Sequence, residues 1–278
     1  MTAVYHGAHG SAYALSDTRV MIARGLRRTV REPDAFLTAL ALPVILMLLF
    51  VYVFGGAFNA GVRAASAGAT GGGYVNYVVP GLIVLCAGFG AGTTAVAVAT
   101  DMSNGIVERF RSMPIAGWSV LAGHIGASLA RNLLATALVI GVGLGVGWRP
   151  AAGPAQWVGA IVMIVGFILA LSWLAACFGL VVGSPEAASG ATFVFMFLPY
   201  LSTAFVPAGT MAAGLRPVAA NQPFTPVIET MRGLWMGHTS TGAALGHEAW
   251  LAALYCAVIL VVAATTAGWL FRHRTAGH

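Results

Sequence analysis

The residue types that could hold a nucleotide phosphate set the first limit on function. All 14 basic residues of the 278-residue chain are arginines, and the sequence contains no lysine. The phosphate-binding P-loop of ATPases and GTPases depends on a lysine that reaches the phosphates. We therefore expect no nucleotide-hydrolysing site and no bound cofactor in this chain.

The spacing of histidine, serine and cysteine gives little support to hydrolytic or metal chemistry. The sequence has no His-Glu-x-x-His run, and His124 and Ser128 lie one helical turn apart, which favours helix packing over a catalytic dyad. Cys86, Cys177 and Cys256 each fall in a long apolar run, without a second cysteine or a ligand-spaced histidine. A membrane-embedded hydrolase and a metal site are therefore both disfavoured.

Long apolar runs are the elements that would position any site. Hydrophobic residues make up 59% of the chain and charged residues 8%, with a mean hydropathy of +0.86, whereas about a quarter of a soluble domain is charged. Six runs reach about the 20 residues that cross a bilayer as a helix, and none alternates like a barrel strand. They are Ala35–Phe54, Val78–Thr100, Ser119–Val146, Trp157–Gly183, Ala187–Val206 and Ala249–Phe271. We predict an all-α integral membrane protein with six transmembrane helices.

The distribution of arginine predicts the orientation of these spans. With the N-terminus placed in the cytoplasm, nine arginines lie on the cytoplasmic side and four outside, while Arg131 lies within the third run. The nine are Arg19, Arg24, Arg27, Arg28, Arg31, Arg109, Arg111, Arg272 and Arg274, and the four are Arg63, Arg149, Arg216 and Arg232. Cytoplasmic loops are enriched in basic residues, so both termini are expected in the cytoplasm. This distribution also accounts for the net charge of +6 without a nucleic-acid partner.

An ion-driven carrier is a competing interpretation of a polytopic chain. Such proteins usually carry acidic residues near the membrane midplane, often within inverted repeats. No Asp or Glu lies deep in any of the six runs, and no internal repeat is visible. A secondary transporter is therefore an alternative with less support.

Two segments on the predicted cytoplasmic side have amphipathic helical spacing. In the N-terminal region, residues 1–34, one face carries apolar residues and the opposite face carries arginines. The apolar residues are Leu15, Ile22, Leu26 and Val30, and the arginines are Arg24, Arg27, Arg28 and Arg31. In Asp101–Pro114, the residues Met102, Ile106, Phe110 and Met113 recur at helical spacing. From spacing alone, an ordinary connector along the membrane surface is the simpler interpretation.

The residues of this second segment resemble a family signature. An acidic residue, a glycine and then Arg-Phe-Arg-Ser-x-Pro is similar to the signature of the ABC type-2 transporter permeases, especially the daunorubicin-resistance-type branch. Those positions are Asp101, Gly105, Arg109, Phe110, Arg111, Ser112 and Pro114. Ser103-Asn104 departs from the Glu-Arg that many permeases of the wider family carry there. A second resemblance runs from Ser202 through Pro207, Asn221–Thr225 and Met231–Gly237, similar to the family's outer re-entrant helices between spans five and six.

The resemblance implies a division of labour between polypeptides. A separate ABC ATPase subunit, in two copies, would bind ATP and Mg²⁺, while residues 35–278 of this chain and a second permease copy, identical or different, form the route through a bacterial cell membrane. By resemblance, ATPase coupling falls to Asp101, Gly105, Glu108, Arg109, Phe110, Arg111 and Pro114, and the substrate pathway or outer gate to Phe205, Pro207, Gln222, Pro223 and Arg232. The substrate would be an amphipathic or hydrophobic drug or lipid, with a lipid-linked glycan as the alternative.

Overall fold

A computed structural model describes residues 33–59, 73–104, 117–182 and 184–274, together with positions 20, 22, 23 and 27. Eight α-helices are found in these ranges, and no strand is found there. They are α1 Pro33–Leu48, α2 Tyr74–Ser103, α3 Gly117–Val146, α4 Pro154–Val182, α5 Pro185–Phe197, α6 Arg216–Asn221, α7 Phe224–Met236 and α8 Leu245–Arg274. The all-helical prediction is confirmed for the part of the chain that the structure describes.

Four of these helices are long and apolar enough to cross a membrane. Their apolar stretches are Tyr74–Ser103, Val120–Val146, Pro154–Val182 and Leu245–Phe271. They match the second, third, fourth and sixth predicted runs, and each helix extends a few residues beyond at least one predicted boundary. The extension is expected, because helices continue past the hydrocarbon edge into the polar interface.

The first and fifth runs differ from the prediction of one uninterrupted span each. Helix α1 changes into a π-helix over Leu49–Val53, and the apolar stretch of this helix is the shorter Ala41–Val53. Helix α5 ends at Phe197 and is followed by a 3₁₀ turn, Leu198–Leu201, so the expected helical continuation to Val206 is wrong. Pro199 explains this change, since proline lacks an N–H and clashes with the preceding helical turn. Among the described residues, four helices are thus long and apolar enough to span a membrane, and the count of six spans stays a prediction.

Helix α2 lies at the centre of the bundle and packs against α1, α3, α4, α5 and α7. Most of its side chains are buried. At Gly81, a Cβ atom would lie only 2.7 Å from the Ala204 carbonyl oxygen. A glycine is therefore required where the irregular chain after α5 meets α2.

The N-terminal amphipathic helix lies largely outside the described residues. Among its few described positions, Ile22 on the predicted apolar face is half-buried, and Arg27 on the opposite face is exposed. A Cβ atom at Gly126 of α3 would lie 2.5 Å from Ile22 Cδ1. These positions agree with the predicted faces.

Candidate functional site

The predicted outer residue Arg232 lies on α7 and is almost completely buried, at 1% exposure. Its guanidinium nitrogens donate to the carbonyl oxygens of Tyr77 at 3.0 Å, Thr203 at 2.8 Å and Ala204 at 3.3 Å. The guanidinium carbon also lies 3.8 Å from the centroid of the Tyr77 ring. One side chain thus connects α7 to α2 and to the chain that follows α5.

Glu229, one helical turn before Arg232 on α7, is the acidic partner of this cation. It is fully buried and forms a short ion pair with Nη1 of Arg232. Its carboxylate also accepts from Thr203 Oγ1 at 2.7 Å, Ser240 Oγ at 2.6 Å and the Ser240 amide at 2.6 Å. A buried ion pair is tolerated when further hydrogen bonds satisfy both groups, as they do here. We call Tyr77, Thr203, Glu229, Arg232 and Ser240 the Arg232 cluster.

The irregular chain over residues 203–205 is held mainly by hydrogen bonds to side chains. The hydroxyl groups of Tyr77 and Tyr74 donate to the carbonyl oxygens of Thr203 at 2.8 Å and Phe205 at 2.9 Å. The amide of Thr203 donates to Thr225 Oγ1 at 3.4 Å. Non-helical backbone at membrane depth requires such partners within the protein.

Phe205, another predicted outer residue, lies in a row of aromatic rings. It is 7% exposed, and its ring centroid lies 4.4 Å from that of Phe50 and 5.2 Å from that of Tyr200. Phe50 belongs to the π-helix that follows α1. The side chain of Phe205 therefore joins the first and fifth predicted spans beside the Arg232 cluster.

The other three predicted outer residues lie in the turns around this cluster. Pro207 precedes a 3₁₀ turn, Ala208–Thr210, and Pro223 precedes α7. Gln222 joins α6 to α7 and is 8% exposed, and its side-chain amide has no hydrogen-bond partner among the described residues. In the structure, Arg232 donates to the carbonyl oxygens of Thr203 and Ala204, directly before Phe205. Pro207, Gln222 and Pro223 lie in the adjoining turns.

Of the predicted coupling residues, Asp101 alone is described, in the last turn of α2. Gly105, Glu108, Arg109, Phe110, Arg111 and Pro114 lie outside the described residues. Asp101 is 3% exposed, and its Oδ2 lies 3.1 Å from Nε2 of His124 on α3. We call these two residues the Asp101–His124 pair.

Sequence reasoning missed four members of the Arg232 cluster and one member of the pair. Glu229 lies between the fifth and sixth apolar runs, and it precedes Arg232 by three positions on the same helix. That spacing places two side chains on one helical face and was an available signal. Thr203 and Ser240 offered no comparable pattern, and neither did Tyr77, which is 155 residues from its partner Arg232.

A comparison with known protein families decides the identity of the chain. The family model for ABC-2 type transporters matches residues 16–236. The chain belongs to the ABC-2 type transporter family. This ABC-2 match includes α1 to α7 and every predicted coupling and outer residue.

Curated relatives of this ABC-2 chain are permease proteins. A daunorubicin resistance ABC transporter permease protein of Streptomyces coeruleorubidus is 27% identical over 227 residues, covering 81% of this chain and 77% of the relative. A probable doxorubicin resistance ABC transporter permease protein of Mycobacterium tuberculosis is 26% identical over 253 residues, covering 89% and 88%. A second such M. tuberculosis protein is 27% identical over 217 residues, covering 74% and 72%.

The family and the helices together define what kind of subunit this is. The chain is a multi-pass membrane permease of an ABC exporter, and the ABC-2 family implies an ATPase subunit and a second permease as its partners. The expected division of labour between permease and ATPase is the one that this family implies.

Proposed function

We propose that this permease exports an amphipathic or hydrophobic compound, a drug or a lipid, with energy from two copies of a separate ATPase that binds ATP and Mg²⁺. The family match over residues 16–236 is the observation that carries this proposal. Three relatives are named for resistance to daunorubicin or doxorubicin, which favours drug efflux. Export of a lipid-linked glycan is the alternative within the family. Family membership gives an ion-driven carrier no support.

The proposed topology has six spans and both termini in the cytoplasm. Residues 1–34 form the cytoplasmic N-terminal region, and residues 35–278 form the permease domain. Helix α1 and its π-helical extension comprise 16 and 5 residues, so together they reach about 30 Å, close to the hydrocarbon thickness. Helix α5 has 13 residues and its 3₁₀ turn has 4, and it would complete the fifth crossing with part of its end enclosed by protein. Helices α6 and α7 would form the outer re-entrant pair.

In this topology, the Arg232 cluster closes the outer end of the permease. The carbonyl oxygens of Thr203, Ala204 and Tyr77 all accept hydrogen bonds from one buried guanidinium. Separation of α2, α7 and residues 202–205 would break these bonds and leave the charged groups of Arg232 and Glu229 without their partners. Transfer of an unpaired charge into an apolar medium is costly. The cluster would therefore keep the exit closed between transport cycles, with Phe205, Pro207, Gln222 and Pro223 around it.

At the opposite end of α2, the segment after Asp101 would contact the ATPase. Gly105, Glu108, Arg109, Phe110, Arg111 and Pro114 are proposed as the coupling residues, with Phe110 as the apolar anchor. Closure of the ATPases on ATP would displace this segment and the two helices that flank it.

Site-specific cross-linking in the assembled exporter tests the proposed gate. A photoreactive amphipathic substrate analogue should label residues 205–223 when the ATPases are trapped with ATP, and should not do so without nucleotide. Equal labelling in both states would contradict the gate. Normal export after residues 207–223 are replaced by a polar linker would also contradict it.

A further inference from the structure

Polar contacts join α2 and α3 along the interior of the bundle. Besides the Asp101–His124 pair, Thr94 Oγ1 on α2 donates to Ser128 Oγ on α3 at 2.7 Å. Ser128 Oγ lies 2.9 Å from Ser172 Oγ on α4. From the first contact to the second, the residue number decreases on α2, from 101 to 94, and increases on α3, from 124 to 128, so the two helices are antiparallel. Of these contacts, the Asp101–His124 pair is the nearest in sequence to residues 105–116.

These polar side chains lie where an unpaired group would be costly. Thr94 is 1% exposed, while Ser128 and Ser172 are fully buried. In the Asp101–His124 pair, the side chains are 4% and 19% exposed, respectively. Interhelical hydrogen bonds between buried polar side chains contribute to the association of membrane helices. Helices α2 and α3 are therefore expected to move together wherever these bonds persist.

Helix α2 also connects this region to the Arg232 cluster. Tyr77 precedes Asp101 by 24 positions on the same helix, which corresponds to about 36 Å at 1.5 Å per residue. The Tyr77 carbonyl accepts from Arg232 Nε at 3.0 Å. A displacement of the Asp101 end would be carried along α2 to the cluster, provided that α2 and α3 do not slide past each other at residues 101 and 124.

We propose that His124 is a positioning residue for ATP-driven transport. Its imidazole holds the buried Asp101 carboxylate, so the two helices that flank residues 105–116 move as one body when that segment is displaced. This role rests on the proposed contact between residues 105–114 and the ATPase. In this proposal, His124 acts through Asp101 rather than by direct contact with the ATPase or the substrate, and its loss changes the transmission of movement rather than docking.

The test uses the full exporter, reconstituted from the permease and its ATPase. The substitution His124→Ala should leave ATPase co-purification within about twofold of the unmodified protein, and should lower substrate-stimulated hydrolysis and export roughly tenfold, as expected for one charge-assisted hydrogen bond. The substitution His124→Gln, which can still donate to Asp101, should recover most of the coupling. The exposed His247 provides the control, and His247→Ala should change nothing.

Three results decide the proposal. Full coupling in His124→Ala would overturn it, and so would a coupling defect that only follows reduced docking. If His124→Ala is not produced, His124→Leu fills similar space but has no hydrogen-bond donor, and full coupling there would overturn the proposal equally. A parallel Phe110→Ala protein distinguishes failure of the proposed docking segment from failure of the proposed His124 role. Unchanged ATPase co-purification in Phe110→Ala would contradict the assignment of residues 105–114, whereas the role of His124 is judged by substrate-stimulated hydrolysis and export in His124→Ala.

Discussion

The two ends of α2 hold buried charge in different ways. At one end, Arg232 and Glu229 are 1% and 0% exposed, and each has several hydrogen-bond partners in the Arg232 cluster. At the other end, Asp101 faces His124, whose side chain is 19% exposed. Removing one partner of a fully desolvated ion pair lowers the free energy of unfolding far more than removing one partner of a pair that water can reach. We therefore expect substitutions in the Arg232 cluster to lower stability, and substitutions near the Asp101 end to lower coupling with little change in stability.

Removal of the buried cation should have the largest effect. In Arg232→Ala, the buried Glu229 carboxyl group loses its counter-ion, and the carbonyl oxygens of Tyr77 and Thr203 lose the guanidinium as a donor. The expected loss is about 3–5 kcal/mol of folding free energy, seen as low yield and a lower unfolding temperature in detergent. The control is Arg216→Ala, because Arg216 is exposed and bonds the carbonyl oxygens of Met211 and Gly209. Equal stability of the two variants would contradict the large stabilisation that we assign to the buried Arg232–Glu229 ion pair.

A substitution in the proposed coupling segment should lower ATPase docking and leave the stability of the permease unchanged. Truncation of the proposed anchor in Phe110→Ala should cost about 2 kcal/mol of ATPase docking, a roughly 30-fold loss in affinity, because aromatic side chains dominate many interfaces. Permease yield and unfolding temperature should stay unchanged, while ATPase co-purification, substrate-stimulated hydrolysis and export decline together. Normal export with full stimulation at a normal membrane level would show that Phe110 is not the anchor.

The smallest effect is expected when one hydroxyl group is removed from the Arg232 cluster. Tyr77→Phe removes the hydrogen bond to the Thr203 carbonyl but keeps the ring that stacks with Arg232, so a loss of about 1 kcal/mol is expected. Tyr255→Phe is the matched control, since its exposed hydroxyl donates to the Asn221 carbonyl at 3.0 Å. Thermal unfolding of the two purified proteins separates them, and a larger loss in Tyr255→Phe would weigh against the importance of the cluster.

Orientation decides which end of α2 faces the ATPase. In a background without native cysteines, single cysteines at Ser16 and Thr275 should resist impermeant thiol reagents in intact cells, whereas one at Thr239 should react. Labelling at either terminus would overturn the proposed topology.

The sequence predicted the long helices well, because the apolar length that a membrane demands is a local property. Helices α2, α3, α4 and α8 each follow one apolar run. The end of α5 was not predicted, since Pro199 lies within a run that composition alone extends to Val206. Hydropathy cannot show that residues 202–205 find their partners on α2 and α7.

The candidate site was predictable only in part for a related reason. Arg232 and Phe205 were found through resemblance to a family, but their contacts depend on the packing of distant segments. Tyr77 is 155 residues from Arg232, and no local pattern connects them. The sequence places His124 one helical turn from Ser128, whereas its hydrogen-bond partner in the structure, Asp101, lies 23 residues earlier on the neighbouring helix.

Transport by the purified components tests the central claim most directly. The permease should be reconstituted into vesicles with and without its ATPase, and the ATP-dependent movement of a fluorescent amphipathic dye should be measured. Movement is expected only when both proteins, ATP and Mg²⁺ are present, and the permease alone should neither bind nor hydrolyse ATP. Stoichiometric ATP binding by the permease alone, or dye movement driven by a proton or sodium gradient without ATP, would contradict the assignment.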